Sequence, residues 1–276
     1  MGRCGSSSAR ESRPLHRTGA RPPGRGDRLA IEHIPLAALP EVRPGDDLGA
    51  LLAEAAPTDL LDRDVLVVAH KVVSKAEGRV RRLRDVEAGD RARRMAAEQD
   101  KDPRLVQVVL DESDEVLRAE RGVIVCVTRH GFVCANAGVD ASNAPDGHVV
   151  LLPLDPDASA RALRGRIAEL RGVRPALVVS DSFGRAWRSG QTDVALGAAG
   201  FVPIDDWRGR TDSRGRELRA TAIAVADSVA GAADLARAKD SREPAVLVRG
   251  LDRLVTGGDG PGAAPLRRER EQDLFR

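Results

Sequence analysis

Apolar and polar positions along this chain follow two different periods. Short apolar runs bounded by turn residues predict strands at residues 29–34, 65–69 (VLVVA), 122–128, 148–154, 176–179 (ALVV) and 245–249. Helical spacing predicts a helix over 48–56, capped by Asp46 or Asp47, and a charged one over 90–99. Further helices are predicted over 104–117 behind Pro103, over 157–170 with Asp157 or Ser159 as cap, and over the Ala-rich stretch 218–235. Strands and helices mix without strict βαβ alternation, so the predicted class is α+β, a mixed sheet with flanking helices. Residues 1–28 hold Gly, Ser, Pro and Arg with almost nothing to bury, and read as a disordered basic arm. Residues 29–256 read as one domain, and 257–276, opening GGDGPG, as its flexible charged tail.

Composition narrows the field. The 276 residues carry a formal net charge of only +2, so no global field selects nucleic acid. Tyr is absent and aromatics are 2%, which argues against a base-stacking platform. No apolar run reaches the roughly 18 residues a membrane span requires, so a cytoplasmic protein with no membrane partner is expected. Cys4, Cys126 and Cys134 form no CxxC pair, and Cys126 sits in an apolar run that marks it as core. Only four of the 44 basic residues are lysine, and two of them, Lys71 and Lys75, fall within five residues of each other.

The candidate chemistry sits just beyond the apolar strands. In ALVVSDSFGRAWRSGQTDVALG, from Ala176, the strand is expected to end on Ser180, Asp181 and Ser182. A polar turn with Arg185, Arg188, Gln191, Thr192 and Asp193 should follow. Carboxylate and hydroxyl oxygens suit Mg²⁺ or Mn²⁺, and arginines suit phosphate or carboxylate. Asp140, with Asn143 close behind, is a second acid past a strand; brought to Asp181 it would complete a metal–triphosphate site. After strand 65–69 come His70, Lys71, Ser74 and Lys75. Lysine neutralises phosphates as a point charge, but no GxxxxGK[ST] loop occurs. His70 has no evident activating partner and reads as a satisfied polar residue; Lys71 and Lys75 otherwise read as a solvated strand end. His130 reads as a hydrogen-bonded turn residue. The small-residue stretch 192–200 suits close packing beside a ligand or second subunit, and 205–216 reads as a polar loop presenting Trp207.

The motifs LPEVRPGDDL, HKVVSKAEGR, RHGFVCANAGVDASN and DSFGRAWRSGQTDVALGAAG, in that order, resemble the coenzyme F420-0:L-glutamate ligase family, in its stand-alone form. The resemblance spans roughly residues 30–276. It implies an intertwined homodimer, with residues 195–200 suited to the interface. It also implies a GTP-dependent enzyme that uses Mg²⁺ or Mn²⁺, is helped by K⁺, and adds L-glutamate to coenzyme F420-0. The first glutamate joins the lactyl carboxylate through an acyl phosphate and later ones are gamma-linked. Carried over by position, Asp140, Asp181 and Ser182 match metal-binding residues. Leu39, Pro40, Glu41, Val42, Lys75 and Asn143 match GTP contacts, as does the segment 237–244 with Lys239 and Ser241. His70 stands where some relatives carry a Ser that contacts nucleotide. Arg185 and Arg188 are assigned to the anionic substrate from charge complementarity alone. Two other readings compete: an amide ligase for a different phosphorylated acid, and a nucleic-acid-binding protein that uses the basic arm.

Overall fold

A computed structural model describes residues 30–37, 39–237 and 241–274. The arm expected over residues 1–28 lies outside them. In chain order the strands are β1 (Glu32–Pro35), β2 (Val65–Ala69), β3 (Val80–Arg82), β4 (Ser113–Glu120), β5 (Val123–Thr128) and β6 (Val133–Ala135). They continue with β7 (His148–Val150), β8 (Ala176–Arg185), β9 (Arg188–Ala199), β10 (Asp205–Asp206), β11 (Ala222–Ile223) and β12 (Ala245–Arg249). The helices are α1 (Leu48–Ala55), α2 (His70–Ala76), α3 (Asp90–Gln99), α4 (Pro103–Asp111), α5 (Pro156–Arg171) and α6 (Val225–Ala236).

The main sheet has strand order β1-β12-β2-β8-β9. Only β2 and β8 are parallel; the other neighbours are antiparallel, which gives the mixed α+β sheet the sequence predicts. Successive side chains of a strand face opposite sides. Leu66, Val68, Leu177 and Val179 accordingly pack on one face with Leu52 of α1 and Ile167 of α5, while Val65, Val67, Ala176 and Val178 pack with Ala226 and Ala230 of α6. Covering on both faces explains the unbroken apolar runs of β2 and β8. A second core joins α3 and α4 to Ile124 and Cys126 of β5, within the three-stranded sheet β4-β5-β6.

Several elements differ from their sequence expectation, each for a tertiary reason. The helix expected over 104–117 stops at Asp111, because residues 113–120 pair with β5 and the ladder takes their backbone groups. The helix expected over 218–235 begins at Val225. Before it, Leu218 N–H donates to Arg210 O, Trp207 N–H to Thr221 O, and β11 pairs with β10, so residues 218–223 tie down the polar loop 205–216. Asp47 caps α1 as expected, but α5 is capped by Asp155, whose carboxylate accepts from Ala158 N at 2.9 Å. Asp157 accepts instead from Ala198 N and Ala263 N, at 2.9 and 2.7 Å.

The strand expected to end at Val179 runs on to Arg185, since Asp181–Gly184 pair with Gln191–Val194 of β9 in one long hairpin. Its tip is Ala186 and Trp187, the latter at φ 58°. The small residues of 195–200 pack against their own chain: a Cβ on Gly197 would meet the Pro156 carbonyl at 2.2 Å, and one on Gly200 the Arg164 guanidinium at 2.4 Å. Beyond Gly257 the chain docks as well, with Ala263 buried and Asp259 accepting from Arg164 at 2.7 Å.

Candidate active site

The parallel pair fixes where the chemistry gathers. Where the parallel pairing of β2 and β8 ends, Ala69 stands in register with Ser180. The chain turns directly from Ala69 into α2, so Lys71 and Lys75 lie on a helix and not on a solvated strand end. Asp181 is the next residue of β8. It shares the face of Leu177 and Val179, toward α2, and His70 Nε2 lies 3.2 Å from its Oδ1. His70 is 1% exposed, its Nδ1 is 3.4 Å from Ser74 Oγ, and its Nε2 makes no aligned hydrogen bond. It is thus not the fully satisfied residue expected, but a buried polar atom set against a site carboxylate.

Lys71 reaches the other acid. Its Nζ donates to both Asp140 Oδ2 and Ser142 Oγ, and Ser142 in turn donates its backbone N–H and its hydroxyl to Asp140, each at 2.7 Å. Burial works against ionisation of Asp140, but the hydrogen bonds from Lys71 and Ser142 outweigh it and hold the carboxyl below the usual carboxylate range. Asp140 is held in place by a two-way backbone bridge with Val150. Two acids from separate elements therefore face successive residues of one helical turn. Lys75, one turn further and 8% exposed, pairs with Glu41 Oε1 at 2.6 Å. Leu39 and Val42 are turned to the core, while Pro40 and Glu41 line a cleft of about 520 Å³ with Arg43, Asp46, Asp47, Ala50 and Leu51.

The other assigned residues are more dispersed. The Ser182 hydroxyl falls on the opposite face of β8 and donates to Asp193 Oδ1 at 2.6 Å. Asn143 occupies an exposed loop at φ 57°. Arg185 and Arg188 face each other across the exposed end of the hairpin. Ser241 Oγ accepts from Glu243 N at 3.3 Å, and Lys239 lies outside the described residues. His130 Nε2 donates to Pro153 O at 2.8 Å, the turn hydrogen bond expected of it.

Oxygen donors on two acids suit a hard divalent cation. No three Asp, Glu, His or Cys side chains converge as a ready-made cage among the described residues. Mg²⁺ needs none, because it keeps its waters and shares phosphate oxygens, taking one or two carboxylates from the protein. Asp140 and Asp181 fit that demand.

Sequence reasoning left Ser142 and Asp193 without a role and set Lys71 against phosphate, not against Asp140. The scarcity of lysine was the available signal for Lys71. For Asp193 it was a lone acid at the start of a continuous run of small and apolar residues. Ser142 carried no signal of its own.

A mixed sheet in which His70 and Lys71, just past β2, touch Asp181 of β8 and Asp140 defines an α+β protein with acids and cations clustered beside its parallel pair. A profile of the family F420-0:Gamma-glutamyl ligase matches residues 37–250. The chain is 45% identical over 250 residues to a Coenzyme F420:L-glutamate ligase of Methanopyrus kandleri, a match covering 90% of this chain and 98% of that protein. It is 46% identical over 253 residues to one of Haloarcula marismortui, covering 89% and 96%. To one of Methanothermobacter thermautotrophicus it is 43% identical over 252 residues, covering 90% and 100%. The chain belongs to the F420-0:gamma-glutamyl ligase family, a family of enzymes. No helix among the described residues is long and apolar enough to cross a membrane.

Proposed function

We propose that this chain joins L-glutamate to coenzyme F420-0 in coenzyme F420 synthesis, with GTP as the source of activation. A carboxylate is inert to an amine because oxide is a poor leaving group. Transfer of the GTP γ-phosphoryl group to the lactyl carboxylate oxygen releases GDP and gives an acyl phosphate. The glutamate amine then attacks the acyl carbon, the C–N bond forms, inorganic phosphate leaves and the amine gives up a proton. Further glutamates would join through gamma-linked amides.

Such a reaction asks the protein for positioning and positive charge rather than for a covalent nucleophile. Asp140 and Asp181 would hold Mg²⁺ or Mn²⁺, which when bound neutralises the triphosphate. Lys75, held by Glu41, brings an ammonium to the phosphates, and Lys71 fixes the Asp140 carboxylate. Arg185 and Arg188 offer charge to the anionic acceptor. The K⁺ requirement and the homodimer belong to the same reading without an assigned residue. The observation that supports it is that His70 and Lys71, successive residues at the start of α2, each touch one of the two acids, Asp181 and Asp140.

The test is to incubate the purified chain with F420-0, glutamate, GTP and Mn²⁺ and read product masses, with Asp181→Asn in parallel. Wild type should give glutamate-extended product and release GDP. The variant should remain folded and lose activity on the order of 100-fold. GTP-independent extension, or wild-type turnover in Asp181→Asn, would sink the assignment.

A further inference from the structure

One buried acid has no part in the metal site proposed above. Asp193 on β9 is 1% exposed and stands in register with Ser182 of β8. Its Oδ1 accepts from Ser182 Oγ at 2.6 Å, and its Oδ2 accepts from Ser180 Oγ at 2.8 Å and from Arg237 Nη2 at 2.6 Å. Ser180 and Ser182 are the two neighbours of Asp181. With both drawn to the α6 face, strand alternation obliges Asp181 to project on the α2 face, where His70 lies.

Arg237 extends the link. Its Nη1 donates to Pro244 O at 3.0 Å, and the same carbonyl accepts from Ala69 N–H at 2.8 Å, one residue before α2. A single carboxylate is therefore tied, in three steps, to both halves of the site.

We propose that Asp193 is a positioning residue: through Ser180 and Ser182 it aims Asp181, and through Arg237 and Pro244 it fixes the start of α2, which presents His70 and Lys71. The inference rests on Asp181 being a metal-holding acid.

Asp193→Asn is the informative change, because it keeps the shape. Oδ2 receives both Ser180 and Arg237, so the amide oxygen must sit there and the NH₂ must face Ser182. The Ser182 hydroxyl then has to accept instead of donate, and Arg237 loses the carboxylate at 2.6 Å while Asp234 stays at 3.7 Å. Asp227 supplies the control. It is another inward acid, on α6, and its carboxylate accepts from Ala195 N at 2.9 Å.

Mn²⁺ uptake by the full chain, read from the free-ion electron paramagnetic resonance signal, reports the site without turnover. Asp193→Asn should weaken uptake on the order of 10- to 100-fold, as loss of a residue that orients a ligand does. Asp227→Asn should bind as wild type does, and thermal unfolding monitors the fold of each. Wild-type uptake by a folded Asp193→Asn, or equal loss in both variants, overturns the inference and leaves the ligase reading standing. A wild-type chain that takes up no Mn²⁺ removes the metal role of Asp181 and this inference together. Should Asp193→Asn fail to fold, Ser180→Ala removes one tether, keeps the ion pair, and is judged on the same signal.

Discussion

Asp181, Cys134 and Asp193 show how much a residue's chemistry depends on the face it occupies. Asp181 and Ser182 are neighbours in sequence, yet one meets α2 and the other meets Asp193. Cys134 on β6 is close enough to Asp181 to register its charge. Burial first, and then that charge, push the thiol from 9.0 up to about 12. Native protein at pH 8 should therefore resist iodoacetamide at Cys134 and react there only after unfolding, as peptide mass mapping would reveal. The linkage has a definite sign. The folded thiol keeps a proton that the unfolded one loses above about 9, so this part of the stability is whole below pH 9 and is lost as pH rises toward 12. Denaturant midpoints of Cys134→Ala should fall less steeply than wild type across that range; parallel slopes would refute the link.

At the scale of elements, α5 and β9 are matched by absence of side chains. Gly197 lets the β9 backbone lie against the first turn of α5, where an added Cβ would come within 2.2 Å of Pro156 C and O. Backbone cannot move aside as a flexible side chain does, so Gly197→Ala should cost about 3 kcal/mol or more in urea unfolding. A cost near zero would mean that α5 can shift on the sheet. The strand β2, helix α1 and strand β12 were legible in sequence because their burial patterns and caps are local. The β4 strand was not: Leu105, Val108, Val109 and Val116 share helical spacing, and only pairing with β5 breaks the series at Asp111. The candidate site was legible as residue types at strand ends, and its pairings were not, because Lys71–Asp140 spans 69 positions of the chain.

For the whole molecule, the stretch after Gly257 acts as a strap over α5. Arg164, 1% exposed on its side chain, donates to Asp259 and to the carbonyls of Pro175 and Thr256, while Arg174 shares Asp259 at 3.0 Å. Asp259→Ala should strip the buried guanidinium of its counter-charge and lower unfolding free energy by about 3 kcal/mol. The check is guanidinium chloride denaturation, and an unchanged midpoint would show that the carbonyls alone suffice.

The sequence by itself determined the class of the fold, the core strands, most helix positions and the acids and lysines of the site, because period, capping and residue type act within a few residues. Family membership was carried by four ordered motifs. Only the tertiary structure decided that β8 runs on past Ser180, that Asp181 and Ser182 part to opposite faces, and that Lys71 meets Asp140, His70 meets Asp181 and Asp193 meets Ser182. Those outcomes depend on which strand lies alongside and which helix lies above, and the physical reason is that hydrogen-bond ladders and buried ion pairs join residues far apart along the chain.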